Sequence, residues 1–189
     1  MLRILMTGFE PFGGETVNAS WEAVKRVGTV EDCDVEKMRL PVEYGRSGEL
    51  LEERMRAFGP DVVISCGVAG TRKAVTPERY ARNLRKAEIP DNAGRSYSGD
   101  RIQEGPDRRE AGICPDRVCE VLSERVPAMV SEDAGAYVCN DLYWHLLTLT
   151  EGGPRRGLFI HVPPVGEIAP ERVALAMEDV LRALREGKL

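Results

Sequence analysis

Short apolar runs alternate with segments of helical periodicity along this chain, and the alternation predicts an α/β fold. Five runs have the length and composition of buried strands, at residues 3–8, 35–42, 61–67, 126–130 and 158–162. Apolar residues recur every three to four positions in five further segments, which predicts helices at residues 21–27, 47–58, 117–125, 137–147 and 171–186. We therefore expect a single domain, residues 1–189, with a three-layer α/β/α architecture around a twisted, mostly parallel central sheet.

The segment from residue 126 to residue 147 carries the first candidate for chemistry. A predicted strand leads through a turn at 133–135 into a predicted helix, and this places Cys139 in the first helical turn. Peptide dipoles at a helix N-terminus favour a thiolate, so we expect a lowered pKa and a nucleophilic sulfur. A lone cysteine is also often a small buried hydrophobe, and these residues alone leave that alternative open.

Two further candidates lie on loops or strand ends that parallel strands bring to one rim. Glu78 lies on the loop after the run 61–67, and His161 ends the run 158–162. With Cys139 they form a candidate Cys-His-Glu triad, although spacing alone does not show that the three meet, because such triads occur in several chain orders. His145, two turns after Cys139 on the same helix, is expected to be structural.

The loop at residues 8–14 is rich in glycine and joins a strand to a helix. It lacks both G-x-G-x-x-G and a Gly-Lys-Ser/Thr ending, so it does not predict a phosphate site. Phe9 and Phe12 give this loop flat apolar faces that suit a small ring-shaped ligand, and packing within the loop is the alternative. Asn18 or Ser20 is expected to cap the following helix.

The segment from residue 95 to residue 115 is polar and has no periodicity. Gly, Asp and Arg dominate it, which predicts a long surface loop. Asp116 then stands where an N-cap residue of the helix 117–125 is expected.

Composition removes several classes of function. The 189 residues are 42% hydrophobic and 30% charged with a net charge of −5, and both signs of charge are interleaved. No basic patch indicates nucleic-acid binding, and no apolar stretch approaches the roughly 18 residues of a membrane span. With no leader-like segment at its start, the chain is expected to be cytoplasmic.

The five cysteines give no metal-binding pattern. No pair has C-x-x-C spacing, and His145 and His161 are the only imidazoles. We expect reduced thiols, no metal and no cofactor.

Motifs in five segments occur in the order and spacing of one known family. They lie at residues 7–18, 67–83, 89–94, 131–140 and 159–163. Over residues 3 to about 165 the chain resembles the pyroglutamyl peptidase I family (pyrrolidone carboxyl peptidases). These are cysteine exopeptidases that remove an N-terminal 5-oxoproline from peptides.

The resemblance implies a role for each candidate. Cys139 is expected to attack the pyroglutamyl carbonyl, His161 to take and return the proton, and Glu78 to hold the imidazole. Backbone N–H groups at the start of the Cys139 helix are expected to bind the oxyanion. The implied partners are peptides with N-terminal pyroglutamate, and the sequence leaves a homo-oligomer open.

The resemblance also implies a pocket for the lactam ring. Six residues are expected to contact the ring, namely Phe9, Phe12, Asn18, Ile89, Tyr137 and Val138. A neutral lactam suits flat apolar walls with one or two polar contacts. A free glutamate or glutamine terminus would bring an unpaired charge into this pocket, and that accounts for specificity.

Three features depart from the family pattern. Val68 replaces a common Gln, and Glu88 replaces a common Arg, for which Arg85 or Arg72 is a candidate substitute. The segment 99–115 also lacks the usual aromatic residues. The departures at Val68 and Glu88 favour one alternative, a catalytically weakened binder of lactam ends. The same Cys-His pair leaves a second alternative open, a thiol amidohydrolase acting on a related cyclic amide.

Overall fold

The computed structural model describes residues 1–189 and contains nine strands and five helices. The strands are β1 (Leu2–Phe9), β2 (Cys33–Leu40), β3 (Val62–Val68), β4 (Thr76–Pro77), β5 (Tyr80–Arg82), β6 (Arg85–Lys86), β7 (Ser98–Asp100), β8 (Arg108–Glu110) and β9 (Arg156–Val162). The helices are α1 (Ala19–Val24), α2 (Arg46–Phe58), α3 (Pro115–Ser123), α4 (Val138–Thr150) and α5 (Pro170–Arg185).

The central sheet has five strands in the order β2-β1-β3-β9-β4. The first four strands run parallel, and the two-residue strand β4 pairs antiparallel with β9 at the edge. Four of the predicted strands are therefore confirmed, each within a few residues of its expected bounds. The mostly parallel sheet is confirmed as well.

Helices cover both faces of this sheet, because its strands are apolar on both sides. Alternate residues of β3 enter two different apolar clusters, with Ile64 in one and Val63 in the other. The first cluster packs α1, α3 and α5 against the sheet, and the second packs α2 and α4. These are the three layers that the sequence pattern predicted. None of the helices combines the length and the apolar composition that a membrane crossing requires.

The prediction of a strand at residues 126–130 is wrong. This segment runs beside residues 75–79 and forms only isolated parallel bridges, Val75 with Ala128 and Glu78 with Ser131. Pro77 has no N–H to donate to the Met129 carbonyl between these two bridges, so the pairing does not continue as a regular ladder. The segment accordingly approaches α4 as an extended chain outside the central sheet.

The segment 95–115 lies largely at the surface, as predicted, but it is not a loop throughout. β7 pairs with β6, and β8 pairs with β5, in two small antiparallel sheets. Strands of three residues are too short to show a period in sequence. Asp116 does not cap α3 either, since the helix begins at Pro115 with Cys114 as N-cap, and the Asp116 carboxylate instead binds Arg79 at 2.8 Å.

Candidate active site

Helix α4 begins at Val138, so Cys139 lies in its first turn, as the sequence predicted. The buried side chain of Asn140 fastens this turn to the segment of β5. It accepts a hydrogen bond from the Arg82 N–H at 2.8 Å and donates to the carbonyls of Arg82 and Leu84, each at 2.9 Å. No side chain caps the helix start, so the backbone N–H groups of its first turn are available to an anion.

The sulfur of Cys139 occupies the space above a glycine of the sheet. A Cβ atom at Gly67 would lie 2.7 Å from the Cys139 Sγ and 2.8 Å from Cζ of Phe159. Gly67 pairs in register with His161 across β3 and β9. Paired residues of parallel strands project from the same face, so the side chain of His161 projects from the face of the sheet that Cys139 covers.

His161 and Glu78 form a buried hydrogen-bonded pair. Nδ1 of His161 lies 2.7 Å from Oε1 of Glu78, and the exposed fractions of the two side chains are 6% and 0%. A carboxylate only accepts hydrogen bonds, so Nδ1 carries the proton and Nε2 is left to receive one. The structure thus brings Cys139, His161 and Glu78 into one constellation.

Two opposing effects act on the Glu78 carboxyl group. Burial disfavours its charge, but the hydrogen bond and charge of His161, together with Ser131 and the positive charge of Arg72, outweigh burial. The pKa of Glu78 is therefore held below its ordinary value. Glu78 is ionised at neutral pH, as a group that must stabilise an imidazolium requires.

The expected lowering of the Cys139 pKa is wrong. Burial of the sulfur, reinforced by the negative charge of Glu78, raises the pKa of this thiol to about 12. The backbone N–H and Arg72 act in the opposite direction but do not compensate. The sulfur is therefore a protonated thiol in the free protein, and it needs a base to become a nucleophile.

Three supporting residues were not identified from the sequence in these roles. Tyr143 is buried in α4, and its hydroxyl donates to the Glu78 carbonyl at 2.9 Å. Asn140 fastens the first turn of α4, and Arg72 donates to the Glu78 carboxylate. For Tyr143 the available signal was its spacing, four residues after Cys139, which places both on one helix face. For Arg72 it was the departure at Glu88, which had made Arg72 a candidate substitute.

Three of the six expected lactam contacts share a cavity of about 460 Å³. Phe12, Asn18 and Ile89 line this cavity together with Val68. Val68 follows Gly67 in β3, but its side chain packs toward the cluster of α1, α3 and α5, and Cys139 is not part of the cavity lining. Tyr137 extends the aromatic wall, since its ring centroid lies 5.2 Å from that of Phe12 and its hydroxyl donates to the Pro90 carbonyl.

The other expected contacts are placed differently. Phe9 and Val138 are buried in the apolar cluster beneath α4 and do not line the cavity.

Asn18, which lines the cavity, is also the N-cap of α1. Its Oδ1 accepts from the Ser20 N–H at 3.0 Å, and its Nδ2 donates to the Glu10 carbonyl at 2.9 Å. One amide N–H of Asn18 thus stays open toward a ligand.

The structure also shows the contacts of the remaining candidate residues. His145 packs against Gly48 of α2 and belongs to the helix interface. Arg85 is committed to Asp141, with 2.6 Å between Nε and Oδ1, and it lies over the ring of Tyr97. Of the two arginines proposed as substitutes near the site, Arg72 is the one that reaches the constellation.

A comparison with known families matches residues 2–187 to the pyroglutamyl peptidase family. The chain belongs to this family. The family expected from the sequence motifs is thus confirmed, and with it the class of cysteine peptidases among the hydrolases.

Curated relatives of similar length lie within the same family. A pyrrolidone-carboxylate peptidase of Bacillus velezensis is 41% identical over 97% of this chain and 89% of its own length. One of Chromobacterium violaceum is also 41% identical, over 98% of this chain and 90% of its own. The match therefore spans the fold and is not confined to the motifs.

Solved structures agree with the architecture. The chain superposes on pyroglutamyl peptidase I of Bacillus amyloliquefaciens with a TM-score of 0.89 and 36% identity, over 95% of this chain and 94% of that one. For a mutant (E192D) pyrrolidone carboxyl peptidase of Pyrococcus furiosus the TM-score is 0.92 at 31% identity, with full coverage of both chains.

The contact between Gly67 and the sulfur gives a first testable prediction. The Gly67→Ala variant is expected to lose about a hundredfold in kcat/KM, because the added methyl group displaces either the Cys139 sulfur or the ring of Phe159. Steady-state kinetics on a pyroglutamyl amide checks this. Gly166→Ala, where an added Cβ meets nothing within 4 Å and which does not line the cavity, is the control for a glycine substitution. Equal activity of the two variants would contradict the placement of the sulfur.

Proposed function

We propose that this protein hydrolyses the amide bond after an N-terminal pyroglutamyl residue of peptides, with Cys139 as nucleophile, His161 as general base and acid, and Glu78 as the group that orients and stabilises the imidazole. The observation that carries this proposal is the buried 2.7 Å contact between Glu78 and His161, beside the sulfur that fills the space over Gly67.

The first half of the reaction forms a thioester. As Sγ of Cys139 attacks the pyroglutamyl carbonyl carbon, the thiol proton passes to Nε2 of His161 and Glu78 stabilises the resulting imidazolium. The carbonyl oxygen becomes an oxyanion that accepts hydrogen bonds from N–H groups of the first turn of α4. The C–N bond then breaks, and His161 donates its proton to the leaving amine.

The second half releases the acid and restores the enzyme. A water molecule gives a proton to Nε2 of His161 and attacks the thioester carbonyl. The C–S bond breaks, the proton returns to the sulfur, and 5-oxoproline leaves as a free acid. Because the resting thiol is protonated, each cycle begins and ends with the same neutral pair of Cys139 and His161.

The cavity supports a neutral lactam as the group that is recognised. Phe12 and Tyr137 supply flat apolar faces, Ile89 and Val68 add aliphatic walls, and the open N–H of Asn18 suits the lactam carbonyl. Apart from the exposed carboxylate of Glu15, the lining offers no charged partner to an amino terminus, which would lose its hydration there. Peptides that begin with pyroglutamate are accordingly the proposed substrates, and the five free thiols support a reducing, cytoplasmic setting.

A panel of fluorogenic amides tests the proposed activity. Under reducing conditions the pyroglutamyl amide is expected to be cleaved at least about a hundredfold faster than the prolyl and glutamyl amides, because neither control offers a neutral lactam. Equal turnover of the prolyl amide would contradict lactam recognition. No turnover, combined with a rise in Tm on addition of free 5-oxoproline, would instead support the binding-only alternative.

A further inference from the structure

Arg72 lies where the three segments that carry the candidate triad meet. Its Nη1 donates to Oε1 of Glu78, the same oxygen that accepts from His161, and lies 2.5 Å from the Thr76 hydroxyl. Its Nη2 donates to the Asp133 carbonyl at 3.0 Å, in the segment that leads into α4. One guanidinium group thus contacts the Glu78 loop and the approach to Cys139 at once.

The hydrogen bonds of Arg72 also connect, through Thr76, to β9, the strand that carries His161. The Thr76 hydroxyl, already bound to Arg72, donates to the His161 carbonyl at 3.5 Å. A planar guanidinium has five donors in a fixed fork, whereas a lysine ammonium acts as a single point charge. The bridge from Glu78 to Asp133 therefore requires arginine.

We propose that Arg72 is a positioning residue of this enzyme: it locks the Glu78 carboxylate toward His161, holds the segment before Cys139 in register with it, and sets the electrostatic balance of the pair formed by thiol and imidazole. This inference rests on the proposed function, and it adds a residue that touches neither the substrate nor the sulfur.

The charges around His161 define what Arg72 contributes. Glu78 faces the imidazole from the segment after β4, Cys139 and the un-ionised hydroxyl of Tyr143 lie on α4, and Arg72 comes from the loop after β3. Without Arg72, the only ion-pair partner left to the buried Glu78 carboxylate is His161 itself. The unbalanced negative charge then disfavours the Cys139 thiolate further.

The test compares three variants with wild type. Arg72→Met removes both charge and bridge, and Arg72→Lys keeps the charge without the fork. Arg82→Gln is the matched control, because Arg82 binds the side chain of the same Asp133 at 3.1 Å but does not contact Glu78. Each is measured by kcat/KM against pH on a pyroglutamyl amide. Peptide-resolved iodoacetamide labelling of Cys139 against pH supplies a second readout, and circular dichroism confirms folding.

Arg72→Met is expected to lose about 10- to 100-fold in kcat/KM, and to lower the rate of Cys139 labelling about tenfold at every pH below the pKa of the thiol. Arg72→Lys is expected to restore the labelling profile but not kcat, while Arg82→Gln resembles wild type in both. A wild-type pH profile and rate in folded Arg72→Met, or equal losses in Arg72→Met and Arg82→Gln, would overturn the proposal.

The two inferences can fail separately. If wild type cleaves no pyroglutamyl amide, the proposed function is wrong, and the labelling of Cys139 still reports whether Arg72 controls its ionisation. If wild type is active and Arg72→Met keeps its rate and labelling profile, only the role of Arg72 is wrong.

Discussion

Replacing Cys139 by alanine is expected to lower kcat/KM for a pyroglutamyl amide by about 10⁴-fold or more. The thioester cannot form without the sulfur, and the remaining oxyanion contacts and binding pocket supply only residual catalysis. The Cys139→Ala protein is expected to fold and to retain its response to free 5-oxoproline in a thermal shift assay, since the cavity is unchanged. Rates are measured under reducing conditions with the same fluorogenic amide.

Cys66→Ala is the matched control for this substitution. Cys66 is fully buried with a raised pKa like that of Cys139, but its side chain belongs to the apolar cluster on the opposite face of the sheet. We expect its activity to stay within a few-fold of wild type, with some loss of stability from the deleted atom. Activity that survives Cys139→Ala would exclude the proposed nucleophile.

Replacing Glu78 by glutamine is expected to lower kcat by about 10³-fold, the second largest effect. The amide oxygen can still accept from Nδ1 of His161, but it no longer offsets the imidazolium charge. The guanidinium of Arg72 then lies next to that imidazolium without an anion between them. Glu124→Gln, the same change at an exposed position on the end of α3, is expected to be neutral. A loss of less than tenfold would contradict the role of Glu78.

The Glu78→Gln substitution is also expected to change how the free energy of unfolding depends on pH. The folded pKa of Glu78 is depressed below its ordinary value of 4.5, so its ionisation stabilises the fold above that pH, and the contribution is lost as pH falls through the folded pKa. The difference in free energy of unfolding between wild type and Glu78→Gln is expected to narrow as the pH falls from 5 to 3, across the ordinary value of 4.5. Urea denaturation at both values measures it, and a constant difference would show that the folded pKa of Glu78 is not depressed.

Much of the fold was predictable because its signals are local. Apolar runs of strand length and amphipathic periods lie within single segments, and they located β1, β2, β3, β9 and the five helices. The wrong predictions concern segments whose state depends on distant partners. Residues 126–130 have the composition of a strand, but the central sheet ends at β4 and leaves them outside it.

The candidate site likewise has properties that the sequence predicted and one property that it did not. Its residue types, their order and the helix start at Val138 could be read from the sequence, and the motifs indicated the family. The ionisation of Cys139 could not, because the helix dipole is a local effect, whereas the burial and the Glu78 charge that raise the pKa come from segments far away in sequence.

Contiguous patterns in the sequence were enough to predict the layered α/β fold, the family and the three candidate triad residues. The packing of distant segments was needed to show that Gly67 leaves room for the sulfur, that Phe9 and Val138 pack in the core, and that Arg72 reaches Glu78. These three features depend on how strands and loops that are distant in the chain pack together, and a local sequence pattern does not encode the distances between such segments.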